Sequence, residues 1–346
     1  MASPRPYVPR HRASSRVPRP RPTALTALLL SLVLGLSASA AAHATAGDEG
    51  ARVVEEERLD ERTVDLHVAS PAMDDTLPVR VMFPPGYSAE AERTWPVLYL
   101  LHGGRDDYTS WTRETDVAGI SAGSDAIVVM PEGGRAGNYA DWHNHGRGGG
   151  PAWETFHTEE LWHLLQTEYG AGDRRAVAGL SSGGLGALNY AARNPDEFSA
   201  AASFSGLLSP RAPGVRQLLL SIMRSEGLDP YALWGFPGAD EERWIAHDPL
   251  SNAEALRGTE LYLSSGLTGL PGELDEPGGD WDPLNIGEAL SGKALRAMEE
   301  ELDRNGVPAT VNLYRDGTHS WPYWERELSS AWPMLMGSIG ARTVPK

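Results

Sequence analysis

The chain has 346 residues, with 30 Lys and Arg against 47 Asp and Glu, a formal charge of −17 and no cysteine. The missing thiols exclude disulfides and thiolate-held metals, and the acidic balance argues against partners that present phosphate backbones or anionic lipid surfaces. The roughly 300 residues beyond the N-terminal segment are enough for one domain stabilised by its own core.

Residues 1–44 read as a secretory signal peptide: six arginines from Arg5 to Arg21, an apolar stretch over 24–36, and a small-residue tail ending Ala42-His43-Ala44. The apolar stretch is short for a bilayer span, and no later segment approaches the roughly 20 apolar residues that a transmembrane helix needs. Cleavage would remove six basic and no acidic residues, leaving 24 basic against 47 acidic and a charge of −23. Residues 45–62 are charged and lack apolar periodicity, so they read as a flexible leader, and the catalytic domain is expected over 63–340.

Within that domain short apolar runs at 79–83, 97–101, 126–130, 176–180, 200–204, 261–264 and 310–314 predict strands, and helical patterns fall at 153–168, 184–193 and 288–305. Alternation of this kind predicts a mostly parallel sheet covered by helices on both faces, an α/β fold. The interval of about 207–256 breaks the rhythm. It carries an amphipathic helix over 215–224 and then Tyr231, Trp234, Phe236 and Trp244, and it reads either as a small helical cap beside a site or as packing over the sheet edge.

The run 175–180 ends in Gly179-Leu180-Ser181-Ser182-Gly183, a G-x-S-x-G turn between a predicted strand and a predicted helix. Such an elbow lifts the serine hydroxyl clear of the sheet, and its glycines leave room for the neighbouring backbone, so Ser181 reads as a nucleophile. Gly119-Ile120-Ser121-Ala122-Gly123 fits the same pattern but precedes an apolar run instead of following one, which disqualifies Ser121.

A serine nucleophile needs a base and an acid, in the chain order Ser, Asp or Glu, His for this architecture. His319 lies in a turn just after the last predicted strand and is the candidate base. The acid would come from the loop after 261–264, where Glu273, Asp275, Glu276, Asp280 and Asp282 crowd together; closeness to the strand end favours Glu273 without excluding the other four. The backbone N–H of Ser182 and of Gly104, in His102-Gly103-Gly104 after the strand at 97–101, are candidate oxyanion donors. His143-Asn144-His145 lacks a third ligand, so no metal is expected, and there is no phosphate loop or dinucleotide fingerprint.

Over roughly residues 95–335 the chain resembles the esterase superfamily that contains the secreted antigen 85 mycolyltransferases. The motifs are LLHGGRDDYTSW (100–111), VMPEGG with NYADW (129–142), AWETFHTEEL (152–161), GLSSGG (179–184), LYLSSG followed by LPGEL (261–274) and GTHSWPYWEREL (317–328). The resemblance implies an α/β-hydrolase fold and a two-step transfer in which Ser181 takes an acyl group and passes it to a sugar hydroxyl, another alcohol or water. It further implies Glu273 as the acid, and Arg105 and Trp321 as lining of the acceptor pocket. His102 stands where the mycolyltransferases carry an aspartate that helps to hold trehalose, and Gly104 stands in place of a leucine, departures that point away from trehalose and from a long mycoloyl donor.

The sequence thus predicts a secreted, monomeric serine acyltransferase or esterase acting on a small-molecule, lipid or sugar ester, with no cofactor, no nucleic-acid partner and no stable membrane insertion. The alternatives are a plain carboxylesterase with water as the sole acceptor, and a catalytically silent binding protein on the same scaffold.

Overall fold

In the computed structural model, which describes residues 50–276 and 285–343, nine strands form one sheet in the order β1-β2-β3-β5-β4-β6-β7-β8-β9. Strands β1 (Arg52–Arg58), β2 (Thr63–Ser70) and β3 (Asp75–Met82) pair antiparallel, and β3 pairs antiparallel with β5 (Ile127–Pro131). From there β5, β4 (Trp95–Leu101), β6 (Ala171–Leu180), β7 (Phe198–Phe204), β8 (Glu260–Gly266) and β9 (Thr310–Tyr314) run parallel. All seven strands expected from apolar runs are present.

Of the flexible leader expected over 45–62, residues 45–49 lie outside the described residues and the rest is corrected: Arg52–Arg58 is an edge strand paired along β2. Its sequence RVVEEER is almost wholly exposed, so it carries no core signature. Charge on such an edge also discourages further strands from adding there. The segment 1–44 read as a signal peptide lies outside the described residues.

Period-two alternation in β4 sends Val97, Tyr99 and Leu101 to one face and Leu98 and Leu100 to the other, and each set joins a separate buried cluster. One face is covered by α3 (Trp153–Thr155), which continues through a π turn at Phe156–Glu160 into α4 (Leu161–Glu168), together with α5 (Ser182–Arg193) and α9 (Asn285–Asn305). The other is covered by α1 (Ser110–Glu114), α2 (Val117–Ser121) and α10 (Trp321–Ser338). On that second face the small residues Ala176, Ala178, Ala200 and Ala202 leave room for Trp324, Leu328 and Trp332 of α10. No helical pattern is legible in α10 because prolines stand at positions 322 and 333.

Between β7 and β8 the chain forms α6 (Val215–Ser225), α7 (Pro230–Trp234), α8 (Glu241–Ala246) and a short 3-10 turn at Ala253–Leu256. Trp234 and Trp244 are buried in the core, edge to face at 5.2 Å, whereas Leu218 and Ile222 of α6 face a cavity. The interval therefore serves both as edge packing and as a cap wall. Among the described residues no helix is long and apolar enough to cross a membrane.

Candidate active site

Ser181 stands at the junction of β6 and α5 with φ 52° and ψ −118°, a left-handed conformation that an L-residue adopts only when its surroundings enforce it. The enforcement is visible. The Ser181 N–H donates to the Phe204 carbonyl at 2.9 Å, its own carbonyl accepts from Leu185 at 3.1 Å, and the flanking glycines sit against backbone. A Cβ on Gly179 would come within 2.4 Å of the Gly183 carbonyl, and one on Gly183 within 2.5 Å of the Leu101 and His102 carbonyl oxygens. The G-x-S-x-G pattern is thus a packing requirement of this turn.

Ser121 has a different fate. It ends the short helix α2, is buried, donates to the Met82 sulfur at 3.2 Å and accepts from Arg62 Nη2 at 2.9 Å.

A cavity of about 380 Å³ opens at Ser181. Gly103, Gly104, Arg105, Ser182, His319 and Trp321 also line it, so the structure brings the expected nucleophile, base, oxyanion donors and acceptor-site residues to one place. A Cβ on Gly104 would lie 3.7 Å from Ser182 Oγ, so the two residues that carry the candidate donors are neighbours. Their loop is held from beneath. His102 is buried, its Nδ1–H donates to the Gly103 carbonyl at 2.7 Å, its Nε2 accepts the Gly133 N–H at 2.9 Å, and its own carbonyl accepts the Tyr139 hydroxyl at 2.8 Å. An accepting Nε2 fixes the neutral tautomer with the proton on Nδ1. His102 here shapes the loop.

The acid assigned from the sequence is corrected by geometry. Glu273 has a side chain 73% exposed and pairs with Arg326 at 2.6 Å, on the surface and away from the imidazole. The carboxylate at His319 is Glu288, whose Oε2 lies 2.7 Å from Nδ1. Glu288 is 0% exposed, and its Oε1 accepts from the Ser205 and Ser265 hydroxyls, each at 3.0 Å, and from the Gly266 N–H at 2.5 Å. Three donors thus meet one oxygen of this buried carboxyl while the other faces the imidazole, which is the hydrogen bonding a buried polar group needs. Asn285, one helical turn earlier on α9, accepts the His319 N–H at 3.3 Å through Oδ1, and Trp324 packs edge-on to the imidazole at 4.9 Å.

A sequence signal for Glu288 exists. Positions 288, 291, 295, 298 and 302 recur at helical spacing and are all buried in α9, so Glu288 is an acid on the apolar stripe of its helix. Counting it merely as the start of the helix hides that.

Of the other acids in the loop, Glu276 is exposed, and Asp280 and Asp282 lie outside the described residues. Asp275 is not a solvated charge. It accepts from the Thr318 hydroxyl through Oδ1 and from Gly272 N–H and the Tyr323 hydroxyl, both at 2.7 Å, through Oδ2. Burial alone would raise its pKa, but these hydrogen bonds outweigh it and hold the carboxyl below the usual value. Arg105 is exposed at the cavity rim, where it reaches Glu226 at 3.2 Å and donates to Ser225 Oγ at 2.6 Å. Trp321 stacks edge-on between Trp111 and Trp324 at 5.3 and 5.2 Å.

The histidine loop does not gather ligands: His145 Nε2 meets Asp229 at 2.7 Å, and among the described residues no group of three or more His, Asp or Glu is placed to hold a metal ion.

The chain is similar to known proteins over most of its length. The family model described as "Putative esterase" matches residues 70–335. The diacylglycerol acyltransferase/mycolyltransferase Ag85B of Mycobacterium avium is 34% identical over 256 residues, 71% of this chain and 76% of its own. The Ag85B of Mycobacterium leprae is 33% identical over 287 residues, 80% of this chain and 84% of its own. Among solved structures, Mycobacterium tuberculosis MPT51 (FbpC1) superposes with a TM-score of 0.65 at 24% identity, covering 82% of this chain and 99% of that one. An S-formylglutathione hydrolase from Agrobacterium tumefaciens superposes with a TM-score of 0.62 at 18% identity over 84% and 100%, a likeness of fold alone. The chain belongs to the esterase family, with the α/β-hydrolase fold, and is an enzyme of the acyltransferase and esterase class.

Proposed function

We propose that the protein transfers acyl groups through a covalent intermediate on Ser181, with His319 as general base and Glu288 as the acid that orients it. The Ser181 hydroxyl oxygen attacks the ester carbonyl carbon while its proton passes to His319 Nε2, and the carbonyl electron pair moves onto oxygen. The backbone N–H groups of Gly104 and Ser182 receive that oxyanion. Imidazolium then protonates the leaving alcohol, the C–O bond breaks and the acyl-enzyme remains. An alcohol or water, deprotonated by the same imidazole, reverses the sequence and frees Ser181. Glu288 keeps the Nδ1 proton in place, so that Nε2 faces the nucleophile, and stabilises the imidazolium.

The observation that carries this reading is the strained elbow of Ser181 opening on the cavity lined by His319, whose Nδ1 is 2.7 Å from a fully buried carboxylate. Arg105 and Trp321 at the same cavity are the proposed acceptor contacts, and the 1–44 segment supports export across the membrane. A fluorophosphonate should label the protein once, at Ser181, and Ser181→Ala should abolish labelling; a label retained in Ser181→Ala would refute the assignment. Product analysis with trehalose, glycerol and water as competing acceptors then separates transfer from hydrolysis.

A further inference from the structure

The cavity at Ser181 has a size and a lining that speak to the donor. Leu180, Leu207 and Leu219 form its buried floor, and Leu218, Ile222 and Trp321, each only half-buried, form the walls. On α6 the residues Val215, Leu219, Leu220 and Met223 face the core, so Leu218 and Ile222 are apolar side chains displaced from that face and turned toward the cavity.

The α6 wall is tied down at its C-terminal end. At its C-terminus Glu226 pairs with Arg105 at 3.2 Å and Arg135 at 2.7 Å, while Arg135 Nη1 donates to the Arg105 carbonyl at 2.7 Å. Helix and oxyanion loop are thereby tied together, and a Cβ on Gly104 would sit 4.0 Å from Ile222 Cγ2. Farther along, a Cβ on Gly287 in the first turn of α9 would sit 3.8 Å from Leu218 Cδ2. On the α6 side the cavity therefore has an apolar wall close to the nucleophile.

A six-carbon benzene fills a cavity of roughly 150 Å³, so by proportion the 380 Å³ here holds on the order of fifteen non-hydrogen atoms. The ester group and the first atoms of the alcohol take several of these. We propose that this cavity selects medium-length acyl donors, about six to ten carbons, laid along Leu218 and Ile222, and rejects long-chain acyl groups. The proposal rests on the acyl-transfer reading of Ser181.

The test is kcat/KM of the full chain on p-nitrophenyl acetate, butyrate, hexanoate, octanoate, decanoate and palmitate. Each buried methylene should raise kcat/KM by about threefold to fourfold until the cavity is full. Octanoate is therefore expected at least about tenfold above acetate, and palmitate at least about tenfold below octanoate. Ile222→Trp, which fills the wall, should move the optimum to shorter chains, and Ile222→Ala should move it to longer ones. An acetate optimum, a flat profile or a palmitate optimum overturns the proposal, whether or not the Ile222 variants fold. Fluorophosphonate labelling of the same preparation separates the two levels: a labelled Ser181 with a flat profile sinks this inference alone, whereas an unlabelled Ser181 sinks the acyl-transfer reading beneath it.

Discussion

The loop after β8 and the first turn of α9 each present a glutamate, fifteen residues apart, in opposite surroundings. Glu273 is exposed and meets one arginine at the surface; Glu288 is sealed from solvent, with three donors on one oxygen and the His319 imidazole on the other. What separates them is the electrostatic setting. An exposed ion pair is screened and contributes little, whereas a buried carboxyl held by several donors keeps a fixed direction. Orienting an imidazole requires the second kind of site.

Ser181→Ala sets the floor: turnover should fall by several powers of ten with melting temperature nearly unchanged, while Ser121→Ala should leave turnover within about threefold. A reversal of those two outcomes in a steady-state assay would place the nucleophile in the wrong turn. Glu288→Ala should combine a loss of turnover with a loss of about 1–3 kcal/mol of stability, because it strands the Ser205, Ser265 and Gly266 donors in the interior; urea unfolding of the variant measures it.

An intermediate effect is expected from Asp275. Its carboxylate ties Thr318, next to His319, to Tyr323 of α10, so Asp275→Asn should lower kcat by roughly threefold to tenfold at unchanged KM, an effect that acts through the position of His319. Unchanged kcat with a lower melting temperature would make Asp275 purely structural.

Acid stability gives an independent readout. Burial pushes the His157 pKa down to about 3, and burial together with nearby Arg193 pushes that of His247 down to about 4, both below the ordinary 6.5. In each case the unfolded chain takes up the proton first. Stability should therefore be full above about pH 6.5 and fall progressively as pH drops toward 4 and then 3. A melting temperature independent of pH between 7 and 4 would contradict this.

Much of the fold is legible in the sequence because it rests on short continuous apolar runs, which burial on both faces imposes on parallel strands. That Ser181 and His319 line one cavity is legible because turn chemistry and chain order constrain where each lies. β1 is not, because an exposed edge strand has no apolar pattern, and α10 is not, because Pro322 and Pro333 mimic breaks that the first turn and a solvent-facing position tolerate. Glu288 is legible only as an acid on the apolar stripe of its helix, because its partners Ser205, Ser265, Gly266 and His319 come from three other segments that only folding brings to it.

The most direct test of the relay from Ser181 through His319 to Glu288 is a side-by-side measurement of ester turnover in Glu288→Gln and Glu273→Gln at neutral pH. Each variant keeps the shape of its side chain and removes the charge. Glu288→Gln should lose at least about a hundredfold in kcat, and Glu273→Gln should stay within about threefold of the parent. Full activity in Glu288→Gln together with an inactive Glu273→Gln would contradict the account.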